Sequence, residues 1–186
     1  MAKTESSFGS SAIATPANLV TILRLLVSPF LLVMIASGGP SWPAVSLWVL
    51  LTSTDGIDGY LARRHGTTSS GAFLDPLADK VLVLGALAAL VTRNELSALP
   101  AILIGVREVT ISVYRSWLAQ RGVSVPARWW AKVKTVLTEV AIGFALLPLT
   151  KNVTWLYRGL IWIAVVLTLV TGAQYLLEGG KKARAS

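Results

Sequence analysis

Residues 55–63 read Asp55-Gly56-Ile57-Asp58-Gly59-Tyr60-Leu61-Ala62-Arg63, and after seven more residues the chain continues Gly71-Ala72-Phe73-Leu74-Asp75-Pro76-Leu77-Ala78-Asp79-Lys80. Four of the nine acidic residues stand here. They fall at the end of one apolar run, about residues 42–62, and the start of the next, about 72–92. Asp55 and Asp58 are three apart and Asp75 and Asp79 four apart, so on helices each pair shares a face. The short connection makes the two helices antiparallel neighbours, and the two pairs can converge.

On either side lie further apolar runs at about residues 17–36, 96–118, 131–149 and 153–177, which brings the expected helices to six. Gly38-Gly39-Pro40 separates the first two, and the other connections are short and polar. No internal repeat is present. Hydrophobic residues make up 54% of the 186 and charged residues 14%, with a mean hydropathy of +0.65, against about a quarter charged in a soluble domain. A water-soluble globule is excluded on that ground. Six crossings at ~20 apolar residues each use roughly 120 residues and leave no sizeable extramembrane domain. The expected architecture is an all-α integral membrane protein with six transmembrane helices. Residues 1–15 are expected to be a disordered juxtamembrane segment, 16–178 one six-helix catalytic bundle, and 179–186 a basic tail. The first apolar run exceeds the roughly 7–15 residues of a signal peptide and is interrupted by Arg24, which favours a retained helix.

Seventeen Lys and Arg against nine acids leave a net charge of +8. The bases are scattered between apolar runs, which points to a membrane surface and away from nucleic acid. Six crossings put both termini on one side, together with Lys3, Arg63, Arg64, Arg115, Arg121, Arg128, Lys132, Lys134, Lys181, Lys182 and Arg184; Arg93, Lys151 and Arg158 fall on the other. The richer side is expected to be cytoplasmic, with Trp129 and Trp130 as interfacial anchors. With no cysteine in the chain, disulfides, thiolate metal sites and cysteine nucleophiles are excluded.

Four ionised carboxylates about 5 Å apart would repel by roughly 3 kcal/mol per pair at an effective dielectric near 20, on the order of 20 kcal/mol in all. Either some are protonated or divalent cations hold them together. Hard oxygen donors without cysteine or clustered histidine favour Mg2+, Mn2+ or Ca2+. A two-metal centre suits phosphoryl-group transfer. Gly56, Gly59 and Gly71 reduce bulk beside the acids, and Arg63 is placed to clamp a phosphate. His65, the single histidine, stands beside Arg63 and Arg64 and is expected to be solvated.

The segment resembles the signature of the CDP-alcohol phosphotransferase family, D-x-x-D-G-x-x-A-R, a spacer, then G-x-x-x-D-x-x-x-D, matched by Asp55, Asp58, Gly59, Ala62, Arg63, Gly71, Asp75 and Asp79. The spacer has seven residues where the usual pattern has eight. Similarity extends to residues 16–24, 71–80, Arg107-Glu108, Arg115 and 132–135, as in the branch that transfers a phosphatidyl group from CDP-diacylglycerol to sn-glycerol 3-phosphate with release of CMP. The resemblance implies a homodimeric enzyme of the bacterial cytoplasmic membrane that uses two divalent cations, Mg2+ or Mn2+, on the cytoplasmic face. Asp55, Asp58 and Asp75 would be metal ligands; Asp79 would touch a metal and act as base toward the acceptor hydroxyl. Gly59, Ala62, Arg63 and Gly71 would line the CDP moiety, while Asn18 and Thr21 would either contact nucleotide or bond across helices.

A phosphorylated acceptor requires cations, and Arg107, Arg115, Lys132 and Lys134 are the candidates, forming a basic pocket expected to open on the metal site. Lys132, Thr135 and Glu139 make a polar stripe on an apolar helix, and Glu108 and Glu139 are available as partners for the bases. Within the same chemistry the alternatives are a phosphatidylinositol-phosphate synthase and a cardiolipin synthase. An ion transporter is the alternative of a different class; it would spread its acids over several helices, whereas here they gather in one corner.

Overall fold

In the computed structural model the described backbone covers residues 16–65, 69–121 and 129–185, and the described side chains are those of residues 18–54, 76–121, 129–130 and 132–180. Among these residues six α-helices follow one another: α1 (Pro16–Gly38), α2 (Trp42–His65), α3 (Ser69–Thr92), α4 (Ala98–Gln120), α5 (Trp129–Leu146) and α6 (Thr154–Ala185), with a 3-10 turn at Pro148–Thr150. There is no strand among the described residues. Each helix coincides with one of the six apolar runs, and α6 alone runs well beyond its expected end near residue 177.

The helix ends have local causes. Gly39, at φ 89°, takes the left-handed conformation that stops α1. Ser41 then starts α2: its Oγ accepts from the Ala44 N–H at 3.4 Å and its carbonyl from the Val45 N–H at 3.0 Å. At the end of α3, Asn94 sits at φ 59°. Its N–H donates to the Val91 carbonyl at 3.0 Å and the Glu95 N–H to that of Leu90 at 3.1 Å, so two orphan carbonyls of the last turn are satisfied.

The packing groups the chain into two compact units, residues 1–89 with 146–149, and 90–145 with 150–186. The reason lies in what each segment touches. In the first unit α1 packs along α2, and α3 meets α1 where Gly85 lies against Leu32, so close that a Cβ would collide with the Leu32 Cδ1. Leu31, Ile35, Ala44, Trp48, Leu51, Ala78, Leu82 and Ala86 are buried there. The Ser41 N–H donates to the Leu146 carbonyl at 3.0 Å, which brings residues 146–149 into this unit. In the second unit α4 packs along α6 around Ile104, Leu118, Ala141, Ile142, Tyr157, Ile161, Ala164 and Val165. A Cβ on Gly179 would stand 2.7 Å from Tyr114 Cε1. Gly179 therefore serves the close approach of α6 to α4 and does not end the helix.

The surface pattern is the reverse of a soluble amphipathic helix. On α1 the buried positions include Asn18, Thr21, Arg24 and Ser28, while Leu19, Leu23, Leu26, Phe30 and Val33 face outward. On α6 Trp155, Trp162, Ile163, Val166, Leu169, Val170 and Leu177 are exposed. Apolar surface on this scale requires a nonaqueous neighbour. Two segments among the described residues, Asn18–Gly38 and Thr154–Gly180, are long and apolar enough to cross a membrane. Helices α4 and α5 carry Arg107, Glu108, Arg115, Lys132, Lys134 and Glu139 along their lengths, which interrupts their hydropathy.

Candidate active site

The backbone sets out the acidic segment on two consecutive helices. Asp55 and Asp58 lie in the C-terminal half of α2, Asp75 and Asp79 in the N-terminal half of α3, and only residues 66–68 separate the two helices. Helical spacing keeps each pair on one face. His65 is the last residue of α2. The side chains of Asp55, Asp58, Ala62, Arg63 and Asp75 lie outside the described residues, as does the surface around Gly59 and Gly71. Asp79 is half-buried, beside the buried Ala78 and one turn before Val83. A set of four carboxylates carried at i, i+3 and i, i+4 on helices offers only hard oxygen donors, and that chemistry fits Mg2+ or Mn2+.

Next to this segment lies a polar face of α1. Arg24 is only 2% exposed, and its Nε donates to Thr54 Oγ1 at 3.3 Å. The Thr54 hydroxyl donates in turn to the Leu51 carbonyl at 2.6 Å. Thr54 immediately precedes Asp55, so a buried guanidinium is tied to the start of the acidic segment. In the sequence Arg24 stands out only as an interruption of an apolar run; the signal for its role is the helical spacing of Asn18, Thr21, Arg24 and Ser28. Asn18 and Thr21 are both buried and both engaged within the protein.

The candidate acceptor cations belong to the second unit, and the structure divides them. Arg107 and Lys134 are drawn into one buried network, their side chains 11% and 8% exposed. Glu108 Oε1 accepts from Arg107 Nη1 at 2.9 Å and also from Lys134 Nζ. Arg107 reaches across to α6 as well, where its Nε donates to the Thr168 carbonyl at 3.0 Å and its Nη2 to Thr171 Oγ1 at 3.1 Å. Arg115 and Lys132 are exposed. Lys132 and Lys134 part because two residues along a helix turn by roughly 200°. Thr135 and Glu139 are half-buried, and both are engaged within the protein.

Arg107, Lys134 and Glu108 meet at the contact of α4, α5 and α6. A phosphate monoester matches the fork of a guanidinium such as that of Arg107. Among the described residues no group of three or more His, Cys, Asp and Glu is assembled; Glu95 accepts from Arg93 at 3.3 Å and from the Tyr157 hydroxyl at 2.7 Å.

A family profile described as CDP-alcohol phosphatidyltransferase matches residues 14–170. A Mycobacterium tuberculosis protein named "Probable phosphatidylglycerophosphate synthase" is 39% identical, over 90% of this chain and 83% of its own length. The "CDP-diacylglycerol--glycerol-3-phosphate 3-phosphatidyltransferase" of Salmonella typhimurium is 40% identical, over 86% of this chain and 91% of its own. The protein of the same name from Haemophilus influenzae is 35% identical, over 84% and 89%.

Proposed function

The chain belongs to the CDP-alcohol phosphatidyltransferase family, and from that premise we propose that it transfers the phosphatidyl group of CDP-diacylglycerol to sn-glycerol 3-phosphate, giving phosphatidylglycerol phosphate and CMP. The relatives that carry this activity in their names match most of the chain at 35–40% identity. The observation that supports the phosphorylated acceptor is the placing of two cations, Arg107 and Lys134, on the one carboxylate of Glu108.

Asp55, Asp58, Asp75 and Asp79 are the residues that would hold two divalent cations, Mg2+ or Mn2+, which when bound supply charge neutralisation at the diphosphate and favour departure of CMP. Asp79 takes the proton from the acceptor hydroxyl as that oxygen attacks the β-phosphorus. Ala62 and Arg63, with the open backbone at Gly59 and Gly71, receive the CDP moiety, and Thr21 lends its hydroxyl to the same end of the first unit. Arg107 and Lys134 receive the acceptor phosphate, and of the four candidate cations Arg115 and Lys132 stand apart, exposed. The outward apolar faces of α1 and α6 support immersion in the bacterial cytoplasmic membrane, and the charge asymmetry supports six crossings with the site and both termini in the cytoplasm. The homodimer implied by the resemblance is part of this proposal.

The test is CMP release from CDP-diacylglycerol by the purified protein, with glycerol 3-phosphate, inositol phosphate, serine and phosphatidylglycerol as acceptors, each with and without EDTA. Release with glycerol 3-phosphate alone, abolished by EDTA, is the expected result. Release with phosphatidylglycerol in its place would make the protein a cardiolipin synthase.

A further inference from the structure

Resting on the assignment of Arg107 to the acceptor phosphate, we infer that Thr171 and Gly172 of α6 are positioning residues that fix the Arg107 guanidinium for a phosphate monoester. Helix α6 has no charged residue between Arg158 and Glu178. It acts on the site through backbone and hydroxyl oxygens and through the absence of a side chain.

Three contacts define the cradle. The Thr168 carbonyl accepts from Arg107 Nε at 3.0 Å. Thr171 Oγ1 accepts from Nη2 at 3.1 Å, and it is held for that task because its own proton goes to the Leu167 carbonyl at 2.7 Å. Gly172 leaves the space: a Cβ there would stand 3.1 Å from both Cγ and Nε of Arg107, so the arginine would have to give by a few tenths of an ångström. Glu108 completes the set by accepting from Nη1. A guanidinium has five N–H donors. Three are used by these contacts, which leaves one on Nη1 and one on Nη2 for two oxygens of a phosphate. A guanidinium held on three sides loses little rotamer freedom when the ligand arrives, so the cradle raises affinity for the phosphate without touching it.

The experiment compares Thr171→Val, Thr171→Ser, Gly172→Ala and Arg107→Ala in the full-length protein, with separate KM values for glycerol 3-phosphate and CDP-diacylglycerol. Losing a hydrogen bond to a charged group corresponds to about tenfold, so Thr171→Val is expected to raise the KM for glycerol 3-phosphate about tenfold and leave that for CDP-diacylglycerol within about twofold. Gly172→Ala should do the same, and Thr171→Ser should restore the wild-type value. Combined with Arg107→Ala, neither Thr171→Val nor Gly172→Ala should add to its effect. If Arg107→Ala raises the acceptor KM but the α6 variants shift both KM values alike, or only the melting temperature, the cradle is wrong and the acceptor site stands. If Arg107→Ala leaves the acceptor KM unchanged, the acceptor assignment fails and the cradle with it.

Discussion

Glu108 of α4 is paired with Lys134 of α5, and the carboxylate oxygen that receives the ammonium also receives Arg107 Nη1 at 2.9 Å. One oxygen thus meets two cations whose side chains are 11% and 8% exposed. Such a group holds helices together and keeps the cations ordered before any ligand arrives.

Removing the anion should be more harmful than removing the network. Glu108→Ala removes the carboxylate that two buried cations share, at a cost of about 3 kcal/mol. The double variant Glu108→Leu with Lys134→Met should recover part of that. Thermal unfolding in detergent decides the matter, and a double variant less stable than Glu108→Ala would contradict the account.

Asp79→Asn keeps the shape of the side chain but loses the negative charge and cannot take a proton. General-base assistance is worth about 10^2–10^4-fold, so kcat should fall by that factor while CDP-diacylglycerol still binds. Turnover near the wild-type rate would remove Asp79 from its role as base.

The carboxylate set can be tested without turnover. A cation that binds only the folded protein stabilises it by about 2.7 kcal/mol at a hundred times its dissociation constant. Mg2+ or Mn2+ should therefore raise the melting temperature of the wild-type protein, and Asp58→Asn or Asp75→Asn should abolish most of that rise. An equal rise in all three proteins would place the cation elsewhere.

Two adjacent glycines in α6 should respond in opposite directions. Gly179 meets Tyr114 and Leu118 within 2.9 Å of where a Cβ would stand, whereas nothing lies within 4 Å of the corresponding point at Gly180. Gly179→Val should destabilise by about 1–3 kcal/mol through overpacking, and Gly180→Ala should stabilise by up to about 1 kcal/mol through helix propensity. Melting curves of the two variants give the signs directly.

The six helices were legible because apolar runs and their breaks are local properties: Gly39 takes a positive φ as its position suggests, and the polar segment 93–95 contains the left-handed Asn94. The end of α6 was not, because Gly179 looks like a stop in sequence and acquires its meaning only from Tyr114, 65 residues earlier. The acids stand out in the sequence by spacings of three and four on two consecutive helices, while the side chains of Asp55, Asp58 and Asp75 lie outside the described residues. The candidate acceptor cations read as one set in the sequence, whereas the structure draws Arg107 and Lys134 to Glu108 and leaves Arg115 and Lys132 exposed. That Lys132 and Lys134 part company follows from the helical period, and a stricter use of it would have separated them. That Arg107 turns toward Thr168 and Thr171 depends on how α4 meets α6, and no periodicity within either helix encodes it.

The uninterrupted run of α6 to Ala185 has a mechanical consequence. At 1.5 Å per residue its 32 residues measure about 48 Å, against a hydrocarbon layer of about 30 Å. A straight rod of that length crossing the layer must lean or protrude, by roughly 18 Å if it stands upright. The turns carrying Lys181, Lys182 and Arg184 therefore continue the helix that carries Thr171 and Gly172, which stand about 15 Å before Lys181 on the same unbroken rod.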